Sequence, residues 1–262
     1  MIYGGFVSKV RMGPATGLIT QVILLVTLAT TAGLGLAGWV TGVAYGLGMS
    51  ALLTHGMDRM GVRALGPADW VTLARATLVG CVAALTADSF VRPAPTGLLV
   101  GTAFVALILD AVDGQVARRT GTASSLGARF DMEVDAFLIL VLSVYAARSM
   151  GVWVLAIGAM RYAFVAASWV LPWLRGPLPW RFWRKVVAAV QGVVLACATA
   201  DVVPGPLMAA TVAVALVLLV ESFGRDIAWL WQRTAVRSYG FEGFAERAEL
   251  LTIGAGRPGG RR

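Results

Sequence analysis

Between two apolar runs, each long enough to cross a bilayer, the chain places five of its 14 acidic residues within 26 positions: DAVDGQVARRTGTASSLGARFDMEVD, from Asp110 to Asp135. A hydrocarbon core of about 30 Å takes roughly 20 apolar residues per helical crossing. Only 14% of residues are charged and mean hydropathy is +0.77, whereas a soluble domain carries roughly 25% charged residues. The fold class expected is therefore all-α: a polytopic bundle of transmembrane helices whose architecture is set by the bilayer. Carboxylates at membrane depth are unfavourable and mark a functional site by default. What Asp110, Asp113, Asp131, Glu133 and Asp135 are for is the question the rest of the chain must answer.

Eight spans are expected. The apolar stretch from about Thr16 to Thr54 fits a tight pair turning at Gly33, Gly35 and Gly38. It far exceeds the 7–15 residues of a signal-peptide core, so it is expected to stay as membrane anchor. These glycines also spell GLGLAG, the dinucleotide-binding spacing, but no βαβ unit surrounds them and that function is excluded. Gly38, Gly42 and Gly46 recur every four residues, which suits close helix packing in lipid. After a basic linker, the third span opens near Asp69 and the fourth runs from about Leu98 into Asp110. The fifth covers about Ala128–Ala147, the sixth Val152–Leu171, the seventh Val186–Val203 and the eighth Leu207–Phe223, followed by a polar tail ending in GAGRPGGRR, which is expected to be disordered.

With the N-terminus inside, the cytoplasmic segments and adjoining helix ends collect 19 of the 22 Lys and Arg. That bias orients the chain with the acidic stretch at the cytoplasmic face of a plasma membrane of bacterial type. It also accounts for the net charge of +8 through contact with anionic lipid heads, so no nucleic-acid partner is expected. Cys81 and Cys197 lie in separate apolar runs with no nearby His, which excludes a zinc site. His55 falls at a membrane exit and reads as interfacial.

Asp110 and Asp113 are i and i+3, and Asp131 and Asp135 are i and i+4, so each pair projects from one helix face. The fourth span runs inward and the fifth outward. Packed side by side, they form a box with a shallow pair (Asp113, Asp131) and a deep pair (Asp110, Asp135). Four such charges cannot all stay ionised unaided; either some are protonated or a divalent cation sits among them. An oxygen cage with open positions suits Mg²⁺ or Mn²⁺, and Mg²⁺ characteristically joins a few carboxylates to substrate phosphates. Gly114, Ala117 and Gly127 remove bulk around the box, and Arg118 adds a cation beside it.

The order Asp110-xx-Asp113-Gly114-xx-Ala117-Arg118, eight residues, then Gly127-xxx-Asp131-xxx-Asp135 resembles the CDP-alcohol phosphotransferase motif at all eight fixed positions. More weakly, ADWVTLARATL looks like the family's PN-x-LT-xx-R entry segment, with Asp69 where Asn is usual. RKVVAAVQ is similar to the start of a later core helix but lacks the Gly, second Lys and Thr of the common form. The resemblance implies a six-helix core over 65–230, preceded by an N-terminal helix pair and linker (1–64) and followed by a cytoplasmic tail (231–262). It implies displacement of CMP from CDP-diacylglycerol by an alcohol. Asp110, Asp113 and Asp131 would then be metal ligands and Asp135 the general base, also serving as a ligand. Asp113, Gly114, Ala117, Arg118 and Gly127 would line the CDP site. A homodimer is implied by resemblance alone.

The acceptor is less legible. If Arg161, Arg184, Lys185 and Arg225 face one cavity, they would bind an anionic acceptor such as glycerol 3-phosphate or inositol phosphate. Arg161 lies mid-span and calls for a partner, with Glu221 or a member of the acidic box as candidates. The competing reading is a cation transporter or channel whose ion site is the acidic cluster; it explains the depth of the carboxylates but not the glycine and alanine positions.

Overall fold

The structure, a computed structural model, describes residues 12–121, 124–179 and 181–255, and of these the side chains at 117, 118, 120 and 235–255 lie outside the description. Eight long helices follow in order: α1 (Met12–Ala32), α2 (Leu36–Met60), α3 (Pro67–Asp88), α4 (Thr96–Thr120), α5 (Ser125–Met150), α6 (Leu155–Val170), α7 (Phe182–Ala200) and α8 (Gly205–Ala255). There is no strand among the described residues, and the chain is an all-α, multi-pass membrane protein. Seven of the helices are long and apolar enough to cross a bilayer. The eighth, α5, carries Arg129, Asp131, Glu133 and Asp135 in its first half.

The helix ends follow from local chemistry. Gly33, at φ +67, turns α1 into α2. Gly61 closes α2 in the left-handed conformation, with its N–H donating to Asp58 O at 3.3 Å. Pro67 opens α3, and the Gly66 N–H donates to Asp69 Oδ2 at 2.9 Å. Ser124 caps α5 by accepting from the Gly127 N–H at 2.8 Å.

α3 is the centre of the bundle. Its apolar window is 72% buried, against 17–39% for the other six spanning helices, and it packs on α1, α2, α4 and α5. In lipid, helices associate through close fit and not through a hydrophobic force, so small residues decide where backbones meet. A Cβ at Gly38 would lie 3.0 Å from the Ala84 carbonyl oxygen of α3, one at Gly42 would strike Leu25 of α1, and one at Gly46 would meet Gln21 at 3.0 Å. The four-residue glycine repeat thus packs the N-terminal pair, as expected.

The last helix runs well past the expected span. The eighth helix does not stop at Phe223 but continues without a break to Ala255, with its apolar part reaching Thr234. No proline interrupts that segment, and its Ala, Leu, Glu and Arg residues are good helix formers, so polarity alone does not end the helix. Residues 256–262, and with them most of the GAGRPGGRR segment, lie outside the described residues, as do Lys9 and Arg11.

Candidate active site

α4 and α5 pack with α3 so that the four aspartates converge, and the cation at their centre is Arg75 of α3, 1% exposed. Its two terminal nitrogens divide the box by depth. Nη1 donates to Asp110 at 2.7 Å and to Asp135; Nη2 donates to Asp131 and lies 3.5 Å from Asp113. The deep pair therefore shares one nitrogen and the shallow pair the other, which is the box the helical spacings predicted. Asp113 is further held by Thr72, whose hydroxyl donates to its Oδ2 at 3.2 Å.

One guanidinium can offset only one of the four carboxylates, so the others must be protonated or balanced by a further cation. Oxygens of Asp110, Asp113 and Asp131 lie within 4.8 Å of one another, a set that one divalent ion can bridge. The donors are all hard carboxylate oxygens, and Asp113 is buried while Asp110 and Asp131 are 40% and 34% exposed. One buried ligand with two more accessible ones fits an ion that also takes substrate oxygens. Asp135 is not one of this trio; it reaches the same guanidinium from one turn deeper.

The small residues separate in role. A Cβ at Gly127 would run into Asp69 Oδ1 and sit 3.0 Å from Ser124 Oγ, so the space at Gly127 is taken by the buried Asp69 carboxylate. Gly114 is half-buried beside Asp113 on α4. Ala117 and Arg118 belong to the last turn of α4, and their side chains lie outside the described residues.

The four basic residues of the acceptor reading are distributed over α6, α7 and α8. Arg161 pairs with Glu133 of α5, not with Glu221 or the four aspartates. Arg184 lies 3.3 Å from Asp226 and also donates to the Pro179 carbonyl. Arg225 pairs with Glu221 one turn away on α8. Lys185 is exposed and close enough to Asp131 for their charges to interact.

Arg75, Thr72 and Asp69 are the site residues that sequence reasoning missed. All three lie in ADWVTLARATL, spaced i, i+3, i+6 along one face of α3. A signal was available: four converging carboxylates require a counter-cation, and Arg75 is the arginine of the segment that resembles the family's entry motif.

The fold and site together define a multi-pass membrane protein with a carboxylate cluster able to hold a divalent cation. The CDP-alcohol phosphatidyltransferase family model matches residues 65–220, more than half of the chain. The protein belongs to that family and is a transferase that moves a phosphatidyl group from a CDP-alcohol within the membrane. No curated protein and no solved structure matches the chain. The match begins two residues before α3, so α1 and α2 lie outside it. The cation-pathway reading finds no support in the family.

Proposed function

We propose that the protein transfers a phosphatidyl group from CDP-diacylglycerol to a polyol phosphate, such as glycerol 3-phosphate or inositol phosphate, releasing CMP at the cytoplasmic face of a plasma membrane. The observation that carries this reading is the convergence of Asp110, Asp113, Asp131 and Asp135 around Arg75 within the family's motif. Asp110, Asp113 and Asp131, with Asp135 as a further ligand, would hold Mg²⁺ or Mn²⁺. The bound ion would offset charge developing on the diphosphate as CMP leaves.

Asp135 accepts the proton of the acceptor hydroxyl. The hydroxyl oxygen bonds to the lipid-side phosphorus, the bond from that phosphorus to the bridging oxygen breaks, and CMP departs with that oxygen. Arg75 holds Asp135 and Asp131 in fixed orientation throughout, since it is buried and bound to both. Asp113, Gly114, Ala117, Arg118 and Gly127 would form the CDP side of the site. Lys185 is the best placed of the four basic residues to meet an acceptor phosphate, because it is exposed and close enough to Asp131 for their charges to interact. Arg161, Arg184 and Arg225 would have to exchange Glu133, Asp226 and Glu221 for that phosphate. A homodimer is in keeping with this reading.

The test is CMP release by the purified protein with CDP-diacylglycerol and a panel of glycerol 3-phosphate, inositol phosphate, inositol and serine. Release is expected with a polyol phosphate, lost with EDTA, restored by Mg²⁺ or Mn²⁺, and lowered at least ~100-fold by Asp135→Asn. Serine as the preferred acceptor would overturn the acceptor class, and an unimpaired Asp135→Asn enzyme the base assignment.

A further inference from the structure

α2 lies outside the family match, yet it touches α5 immediately before and immediately after the motif half that α5 carries. Gly127, Asp131 and Asp135 are bracketed by Ser125 and Leu126 on one side and Phe137 on the other. Ahead of the motif, Ser125 Oγ donates to Met60 Sδ at 3.7 Å, and a Cβ on Gly56 would sit 2.8 Å from Leu126 Cδ1. Behind it, Tyr45 stacks on Phe137 with ring centroids 4.9 Å apart and planes at 28°.

Tyr45 is also wedged against α3. A Cβ at Gly80 would lie 2.6 Å from its ring carbon Cδ1, so the ring occupies space that any other residue at 80 would fill. Gly80 is little more than one turn from Arg75, and Tyr45 and Arg75 are close enough to interact electrostatically. One aromatic ring thus lies against both the helix that supplies the guanidinium and the helix that supplies Asp131 and Asp135. A rigid ring transmits position with little loss of side-chain freedom, whereas a flexible apolar chain of similar volume would fill the gap without fixing it.

We propose that the N-terminal helix pair is a brace for the active site, with Tyr45 as the positioning residue that holds α5 in register with α3 through Phe137. The proposal rests on the reading of the aspartate box as the metal and CDP site. It gives this chain's additional helices a part in catalysis beyond anchoring. If α1 and α2 merely anchor the core, changes at Tyr45 should alter stability alone.

The experiment uses the full chain in lipid nanodiscs and reads three quantities: Mn²⁺ affinity by electron paramagnetic resonance, kcat and KM for CMP release, and the thermal midpoint. Tyr45→Leu is expected to weaken Mn²⁺ binding and lower kcat by about tenfold each, since small misplacements of reacting groups carry effects of that order or larger. The acceptor KM should move little, and Tyr45→Phe, which keeps the ring, should restore both quantities to within about threefold of the parent. Phe137→Leu should reproduce Tyr45→Leu from the other side of the contact, so one variant lost to misfolding leaves the other to decide. The double variant should be no worse than either single one. Parent-like Mn²⁺ affinity and kcat in Tyr45→Leu would overturn the brace, as would losses that multiply in the double variant. An Asp131→Asn arm separates the two readings: parent-like Mn²⁺ binding there would sink the metal assignment, while the kcat of Tyr45→Leu still decides the brace.

Discussion

At the scale of single residues, the site turns on one arginine having two terminal nitrogens. A lysine carries the same charge as a compact point and cannot address a deep and a shallow carboxylate pair at once. Arg75→Lys is therefore expected to fold but to lose at least ~10-fold in kcat, read by CMP release, because the carboxylates lose their fixed spacing. Arg75→Met removes the counter-charge itself, and breaking a buried ion pair destabilises by about 3–5 kcal/mol. The lower end applies here, since Asp110, Asp131 and Asp135 are 34–40% exposed and partly solvated. A fall in thermal midpoint or in yield of folded protein would register it. Gln21 presents the opposite case. It is fully buried, and neither amide atom has a hydrogen-bond partner. Gln21→Leu removes two unsatisfied polar atoms from a close-packed helix interface, so it should stabilise by about 1 kcal/mol, seen as a raised thermal midpoint.

At the scale of elements, α3 and α5 meet where Gly127 faces Asp69. The Asp69 carboxylate accepts from the Gly66 N–H at 2.9 Å and faces the Ser124 hydroxyl at 3.5 Å, tying the start of α3 to the cap of α5. Gly127→Ala puts a methyl group into that carboxylate. Either α5 retreats or Asp69 gives up its capping bond, and kcat should fall at least ~10-fold by the same positional argument. The opposite ends of the helices show a second tie. The Asp88 carboxylate accepts from the Gly35 N–H at 3.1 Å and from Arg92 Nε at 2.6 Å, which docks the start of α2 on the end of α3. Asp88→Ala leaves the Gly35 N–H without that acceptor and should lower stability by about 1–3 kcal/mol, measured by thermal unfolding.

At the scale of the whole molecule, the enzyme is arranged around α3, and its cover is unequal in origin. α4 and α5 come from the matched core, whereas α1 and α2 lie outside it. Deleting residues 1–64 removes the partners of Gly80 and Ala84 and the brace at Phe137. The truncated chain is expected to accumulate poorly in membranes, and whatever folds should release CMP at least ~10-fold more slowly, since its carboxylates lose their fixed placement. α8 works at the other edge. At ~1.5 Å per residue, its 51 residues reach well past a hydrocarbon core, so its second half extends beyond the membrane-spanning part.

Much of this was legible in the residues. Helical spacing alone paired Asp110 with Asp113 and Asp131 with Asp135, and the apolar runs with their basic loops ordered the spans, because both are local properties of a chain in a bilayer. Gly38, Gly42 and Gly46 likewise declared a packing face. What sequence could not supply was the partner across each gap. Arg75 was visible as an arginine near a helix end, but only packing α3 between α4 and α5 makes it the centre of the box. Gly127 read as open space, and tertiary contact filled that space with Asp69. Arg161 demanded a carboxylate, and the fold chose Glu133, which lies 28 positions away, between Asp131 and Asp135 in sequence but on another face of α5. The continuation of α8 past Phe223 is not legible in composition, because polarity marks where a helix leaves the membrane, not where it ends. Periodicity and composition act along the chain; charge pairing, steric exclusion and ring stacking act between segments, and those were decided by the tertiary structure alone.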